Sequence, residues 1–262
     1  MTTDDTTTDT TDVDARLLAG LAGLATEAPA GLPDAVFARW VRVPSGLGDV
    51  YAAATAHGVQ FLRPAGDAGL AGFTAAYRAR FARPLVAAPR PPAGLLPALR
   101  GRPGRGPALD LTALTGFERA VLDATRRIPA GQARPYGWVA REAGSPGAVR
   151  AVGSVLARNP VPLLVPCHRV VRADGALGGY LFGAPEKERL LRAEGMDVDG
   201  VADLARRGVR YLASDTTTVV CFPTCRDARR ITPRHRHGFG TLDEAVRAGF
   251  RPCRTCRPAG AA

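Results

Sequence analysis

Lysine is almost absent from this 262-residue chain. Lys187 stands alone, and the other 34 basic residues are arginine. Abundant Ala, Gly and Pro accompany that bias, as a GC-rich genome would also produce, so the net charge of +11 must be located before it is read. Long apolar runs are absent too: no segment reaches the roughly 18 residues a membrane span needs. Cysteine is missing from residues 1–166 and occurs five times in all. An odd number excludes a fully paired disulfide framework. The N-terminal MTTDDTTTDTTDVDA is acidic and lacks the apolar stretch of a secretory signal. These absences together lead us to expect a cytoplasmic protein with reduced thiols and no membrane partner.

Hydrophobic residues make up 46% and charged residues 23%, which excludes wholesale disorder and places the chain among globular proteins. The charge is uneven. Residues 1–30 sum to −5, 31–107 to +7, 108–200 to +2 and 201–262 to +7. An anionic partner such as nucleic acid fits that balance. The last segment is the most basic per residue and also holds four of the five cysteines.

The predicted architecture is α+β: a small antiparallel sheet domain, a helical domain and a small four-cysteine domain. Residues 1–14 read as a low-complexity disordered tail. Residues 15–107 hold three alternating strands, at 40–43, 50–54 and 59–62, then a helix over about 68–81 with Phe73, Tyr77 and Phe81 four apart. Residues 84–107, rich in Pro, Gly and Arg, read as a linker.

A second domain spans 108–200. Thr115-Gly116-Phe117-Glu118 forms a capping box, and Phe117, Val121, Ala124 and Ile128 make an apolar stripe that Pro129-Ala130-Gly131 ends. A short helix begins near Tyr136. Another runs from about Pro146 to Arg158, capped by Ser145, and the pair reads as a helix-turn-helix. One side of the second helix carries Ala148, Val149, Val152, Val155 and Leu156. The other carries Arg150, Ala151, Ser154, Ala157 and Arg158, which suits either an ordinary solvated face or close approach to a phosphate-lined groove. Cys167 follows an apolar run and adjoins His168, which can take its proton. Glu194 is a candidate to orient that imidazole. A buried structural cysteine is the alternative.

This stretch resembles the O6-alkylguanine-DNA alkyltransferases, the methylated-DNA–protein-cysteine methyltransferases. The resemblance covers roughly ninety residues. It runs through Ile128-Pro129-Ala130-Gly131, Tyr136-Gly137, Val149-Arg150-Ala151-Val152-Gly153, Arg158-Asn159-Pro160, Pro166-Cys167-His168-Arg169-Val170, Gly175-Ala176-Leu177-Gly178-Gly179-Tyr180, Gly183, Lys187, Leu190-Leu191 and Glu194-Gly195. The resemblance implies that duplex DNA carrying O6-methylguanine (and O4-methylthymine) is the substrate, and that Cys167 accepts the methyl irreversibly after base flipping. It implies that Glu194, His168 and a water activate the thiol. It further implies that Arg150 replaces the extruded base, Tyr136 crowds the target phosphate, and Tyr180 hydrogen-bonds the guanine. Asn159 would brace the active-site turn, the Val170 and Cys167 carbonyls would hold the base edge, and Pro162 would line the pocket. Ala151, Gly153 and Ser154 would let the helix approach DNA closely. Leu181-Phe182 departs from the smaller or polar residues common in the family, and that would narrow the pocket.

Cys221-x3-Cys225 and Cys253-x2-Cys256 meet the requirement for tetrahedral Zn²⁺, with His235 and His237 as conceivable substitutes. Thr241-Leu242-Asp243-Glu244 caps a short helix that ends by Gly249. Residues 201–262 are similar to the metal-binding domain of Ada-type proteins through Cys221-Phe222-Pro223-Thr224-Cys225-Arg226 and Gly249-Phe250-Arg251-Pro252-Cys253-Arg254-Thr255-Cys256-Arg257-Pro258. That similarity implies a methyl acceptor at Cys221 for backbone methylphosphotriesters; a purely structural zinc module is the alternative. The overall expectation is a monomeric, single-turnover DNA repair protein with zinc and no organic cofactor. A non-enzymatic DNA-binding sensor or transcription regulator is the rival.

Overall fold

The computed structural model describes residues 32–258 apart from 67, 103 and 105, and also Gly20. The Thr/Asp tract expected as a tail lies outside the described residues. A short helix α1 (Leu32–Val36) precedes the sheet. Strands β1 (Ala38–Ser45), β2 (Gly48–Thr55) and β3 (Gly58–Pro64) form the expected antiparallel meander, with Val41 opposite Ala52 and Ala53 opposite Phe61. Strand alternation gives the sheet two apolar faces. Tyr51, Ala53 and Phe61 pack under helix α2 (Gly69–Phe81) against Phe73 and Tyr77. Val50, Ala52, Val59 and Leu62 face the rest of the molecule.

Residues 84–107 are more than a linker. Strand β4 (Leu85–Ala87) adds to β1 in parallel, giving the order β3-β2-β1-β4. Helix α3 (Leu95–Leu99) buries Leu95 and Leu99. Their four-residue spacing puts both on one face, a signal that the surrounding Pro and Gly obscured.

The central unit contains α4 (Gly116–Arg126), α5 (Tyr136–Glu142), α6 (Val149–Ala157), α7 (Ala184–Ala193) and α8 (Val198–Arg206), with the paired two-residue strands β5 (Arg134–Pro135) and β6 (Val170–Val171). The Thr115–Glu118 capping box forms reciprocally. The cap expected at Ser145 does not. Its carbonyl instead accepts the Ala148 N–H at 2.9 Å, so a separate turn precedes α6, which starts at Val149 with Ala148 as its cap. Val149 is consequently exposed, while Val152, Val155 and Leu156 are buried as the periodicity requires. Helix α8 crosses the junction expected at residue 200/201.

The C-terminal unit is a second four-stranded sheet. Its strands β7 (Tyr211–Ser214), β8 (Val219–Cys221), β9 (Arg236–Phe239) and β10 (Arg251–Pro252) lie in the order β10-β8-β7-β9. Helix α9 (Leu242–Arg247) starts at the Thr241–Glu244 capping box. One continuous apolar core runs from Val59 and Leu62 through Val121 and Val139 to Phe222 and Ala245, so the three units share an interior. No described helix is long and apolar enough to cross a membrane.

Candidate active site and metal centre

Cys167 opens a single 3-10 turn, Cys167–Arg169, at the end of the loop that follows α6. Asn159, fully buried, braces that loop. Its Nδ2 donates to the Val165 carbonyl at 3.0 Å and to Cys167 Sγ at 3.3 Å, while its Oδ1 accepts the Val161 N–H at 3.0 Å. Leu163 holds a φ of 72° in the same loop, a conformation a branched residue adopts only under constraint. Burial pushes the Cys167 thiol up, against the Asn159 hydrogen bond and the Lys187 and Arg63 charges, so the group rests protonated.

His168 is 2% exposed and bonds Glu194 Oε1 through Nε2 at 2.8 Å. Glu194 also takes Arg169 in a fork and the Gly131 N–H at 3.0 Å. Burial opposes its ionisation, but the hydrogen bonds and charges of His168 and Arg169 outweigh that and pull the carboxyl down to about 2. An ionised acceptor fixes the imidazole proton on Nε2. Nδ1 is left as a buried base with no protein partner. Burial keeps His168 below its ordinary value, and thus neutral, despite Glu194. Gly131 has a φ of +68°, and a Cβ there would lie 2.5 Å from the Glu194 carbonyl oxygen, so only glycine fits.

The carboxylate carries a pH signature. Its depressed value means that its stabilisation is complete above the ordinary 4.5 and is lost as pH falls towards 2. We expect acid titration to show a loss on the order of 2 kcal/mol across that window. Glu194→Gln should flatten that loss in denaturant melts taken as a function of pH, and an unchanged profile would contradict the assignment.

Tyr180 places a buried hydroxyl without a protein partner near the ring of His168, 6.1 Å between centroids. Tyr136, half-buried at the start of α5, has its phenol raised first by burial and then by proximity to Cys167. Phe182 packs edge-on against Tyr180, with ring centroids 5.4 Å apart. Pro162 is buried and bridges to Val165 inside the loop. The Val170 carbonyl, expected to hold a base edge, already accepts Lys187 Nζ at 2.6 Å.

Three supporting residues escaped sequence reasoning. Lys187 is fully buried, and its ammonium also donates to the Leu177 and Gly179 carbonyls, tying the segment before Tyr180 to the turn after Cys167. Arg169 reaches the Ile128 carbonyl at 2.6 Å besides gripping Glu194. Arg63, on β3, donates to the Asn159 and Pro160 carbonyls from the sheet domain. An isolated basic residue has no periodicity to mark it, and each of these acts through backbone carbonyls that only folding brings near.

Cys221, Cys225, Cys253 and Cys256 are all buried, and their sulfurs lie within 4.8 Å of one another. A tetrahedron with Zn–S bonds of about 2.3 Å has edges of about 3.8 Å, so the cluster suits that ion. His235 and His237 are not part of it. Both pair with Asp215, at 2.8 and 3.2 Å.

Comparison with known proteins settles the domain content. Residues 116–196 match the family model for the 6-O-methylguanine DNA methyltransferase DNA-binding domain, and residues 202–259 match the metal-binding domain of Ada. The chain joins an alkyltransferase domain to an Ada-type metal-binding domain. A methylated-DNA–protein-cysteine methyltransferase of Methanothermobacter thermautotrophicus is 46% identical over 92 residues, covering 35% of this chain and 51% of that protein. The bifunctional transcriptional activator/DNA repair enzyme Ada of Escherichia coli is 48% identical over 80 residues, 30% of this chain and 23% of that one. The chain therefore spans about half the length of the first relative and less of the second. The solved O6-methylguanine-DNA methyltransferase of Pyrococcus kodakaraensis aligns with TM-score 0.47 and 25% identity, over 61% of this chain and 99% of that one. The four cysteines of the Ada-type module make a Zn²⁺ site.

In the alkyltransferase domain, α6 turns Arg150, Ala151, Ser154, Ala157 and Arg158 to solvent. Among the described residues the Arg150 guanidinium has no partner, and a Cβ on Gly153 would meet nothing within 4 Å. The Ada-type module packs behind α5, on which Trp138 donates to the Cys256 carbonyl at 3.0 Å and Arg141 to the Arg257 carbonyl at 2.6 Å. An apolar groove of about 390 Å³ between the two, lined partly by Pro135, Val149, Val201 and Phe222, receives none of the side chains around Cys167.

Proposed function

We propose that the chain repairs alkylated DNA by moving the methyl group of O6-methylguanine onto Cys167 Sγ, once per molecule, in the cytoplasm. The buried Asn159–Cys167 and His168–Glu194 contacts support this reading most directly. They supply an acceptor sulfur and a neutral base anchored by an ionised carboxylate. The base would enter from a duplex whose groove lies against α6. Arg150 fills the space left in the stack, and Tyr136 presses on the target phosphate. The Cys167 proton passes through a water to His168 Nδ1, and Glu194 balances the imidazolium. The thiolate then attacks the methyl carbon as the C–O6 bond breaks. The electron pair goes to guanine O6, the Tyr180 hydroxyl donates a proton to the departing base, and the imidazolium proton, relayed through water, restores Tyr180, so the thiol proton ends on the base. The product thioether is stable, so one chain serves one lesion.

When bound, Zn²⁺ holds the four sulfurs as thiolates. Cys221 is 2% exposed and ends the inner strand β8, a placement that favours a ligand role. A methylated Cys221 in peptides from chains exposed to methylphosphotriester DNA would establish the acceptor role that the Ada resemblance implies.

Counting labelled methyl groups tests the main reading. One group per chain, located at Cys167, is expected; zero would mark a binding-only sensor. The DNA face has its own test. Gly153→Ala puts a methyl where nothing stands, so the free protein should gain up to about 1 kcal/mol in melting experiments. Affinity for duplex DNA should fall in the same variant. Unchanged affinity would remove this face of α6 from the interface.

A further inference from the structure

Among the described residues Arg134 is the bulkiest of the fully buried side chains, and it lies where the alkyltransferase domain meets the metal-binding module. Its hydrogen bonds go only to neutral acceptors: the Ala133 carbonyl at 2.8 Å and Gln132 Oε1 at 2.6 Å. Its Nε has no partner. Among the described residues no carboxylate pairs with it. Arginine cannot shed its proton, and a buried cation without a counter-charge costs several kcal/mol. Something must offset that cost.

The surroundings identify what does. The guanidinium sits over the Phe222 ring, 5.4 Å from its centroid, and 5.8 Å from that of Trp138. Phe222 follows Cys221 in the chain, and Trp138 donates to the Cys256 carbonyl. Burial weakens Arg134's hold on its proton, and the charges of the four cysteines, Cys256 first, act against that. Four thiolates around Zn²⁺ carry a net −2, which in a low-dielectric interior calls for a cation nearby.

We propose that Arg134 is the buried counter-cation of the zinc tetrathiolate, and that through it the metal-binding module is locked onto the strand that supports the active-site turn. The positions serve such a lock. Arg134 and Pro135 form strand β5, which pairs in parallel with β6 (Val170–Val171), directly after the Cys167 turn. Tyr136 comes two residues later. Next to Arg134, Ala133 exchanges two hydrogen bonds with Thr224 Oγ1, at 2.9 and 3.0 Å, inside the first cysteine pair. The positive group thus comes from one domain and the negative cluster from the other. The two match as a pair, and the module is not a tethered appendage.

The inference rests on zinc being held by the four cysteines, and the experiment separates the two claims. Metal analysis of the full chain comes first: absence of about one zinc per chain would defeat the zinc assignment itself. Zinc release to a chromogenic chelator is then followed in the full-length chain, in Arg134→Met and in Arg134→Lys. Loss of the charge in the methionine chain should weaken zinc retention about 10- to 100-fold, and the lysine chain, which keeps the charge, should recover most of it. A methionine chain that neither folds nor takes up zinc, beside a lysine chain that does both, is the extreme of the same result. Retention equal to the parent in the methionine chain overturns the proposal, and so does equal loss in both variants.

Discussion

Cys167→Ser is expected to abolish methyl uptake from O6-methylguanine in duplex DNA, with transfer of label falling to background. The reason lies in what surrounds the sulfur. A serine hydroxyl is far less acidic than a thiol, and this site gives it no strong base in direct contact: Asn159 Nδ2 is a donor, and His168 spends Nε2 on Glu194. The substituted chain should still fold. Oγ can accept from Asn159 as Sγ does, so the stability change should stay within about 1 kcal/mol. It should also still bind methylated DNA, because Arg150 and the small residues of α6 are untouched. Measured transfer in the serine chain comparable to the parent would refute the assignment of Cys167. Lost binding together with lost transfer would point to collapse of the loop held by Asn159.

Removal of zinc is expected to unfold the C-terminal sheet and to disturb the alkyltransferase domain with it. The unit has only short strands and one six-residue helix around the cysteines, and structural zinc sites contribute about 10–16 kcal/mol of apparent binding energy at pH 7. Without the metal, four buried sulfurs are left to share protons. Trp138 reports the outcome. Its indole N–H bonds the Cys256 carbonyl, and the only other tryptophan, Trp40, lies on β1 in the other sheet. Chelation should therefore shift tryptophan emission to longer wavelength and lower the melting temperature of the whole chain by many degrees. Unchanged emission and melting in a metal-free chain would show that the module and the domain are independent.

The two predictions meet at the same stretch of chain. Residues 131–138 supply Gly131 to Glu194, Arg134 to the cysteine cluster, Tyr136 to the neighbourhood of Cys167 and Trp138 to Cys256. A short segment that runs from the turn at Gly131 through strand β5 into the start of α5 thereby connects both centres. Its conformation depends on a glycine that no other residue can replace and on an arginine that needs the thiolates.

Local chemistry made much of this readable. Alternation marked β1 to β3, capping boxes marked the starts of α4 and α9, and a four-residue rhythm marked α2, because backbone geometry repeats at short range. The candidate site residues stood out for a related reason: a cysteine beside a histidine, and two close cysteine pairs, are rare enough for their spacing to suggest chemistry. Residues 84–107 were misread because Pro and Gly dominated the composition while two leucines did the packing. Ser145 was misread because a serine before a proline resembles a helix cap, and here the turn closes on its carbonyl instead.

By itself the sequence singled out the candidates for the chemistry: Cys167 as nucleophile, His168 and Glu194 as its base and carboxylate, and a four-sulfur cluster in a basic segment. It also determined most elements, whose signals lie within a few residues of one another. Only the tertiary structure decided how these are held. Lys187, Arg63 and Arg169 work by meeting carbonyls or a carboxylate distant in the chain, and Arg134 by lying over the Trp138 and Phe222 rings beside the cysteine cluster, and no local pattern encodes such a meeting. Packing supplies the low dielectric and the exclusion of water that make each of those contacts strong. It also gives the scarcity of lysine a specific meaning, since the single one is buried with its ammonium on the Val170, Leu177 and Gly179 carbonyls.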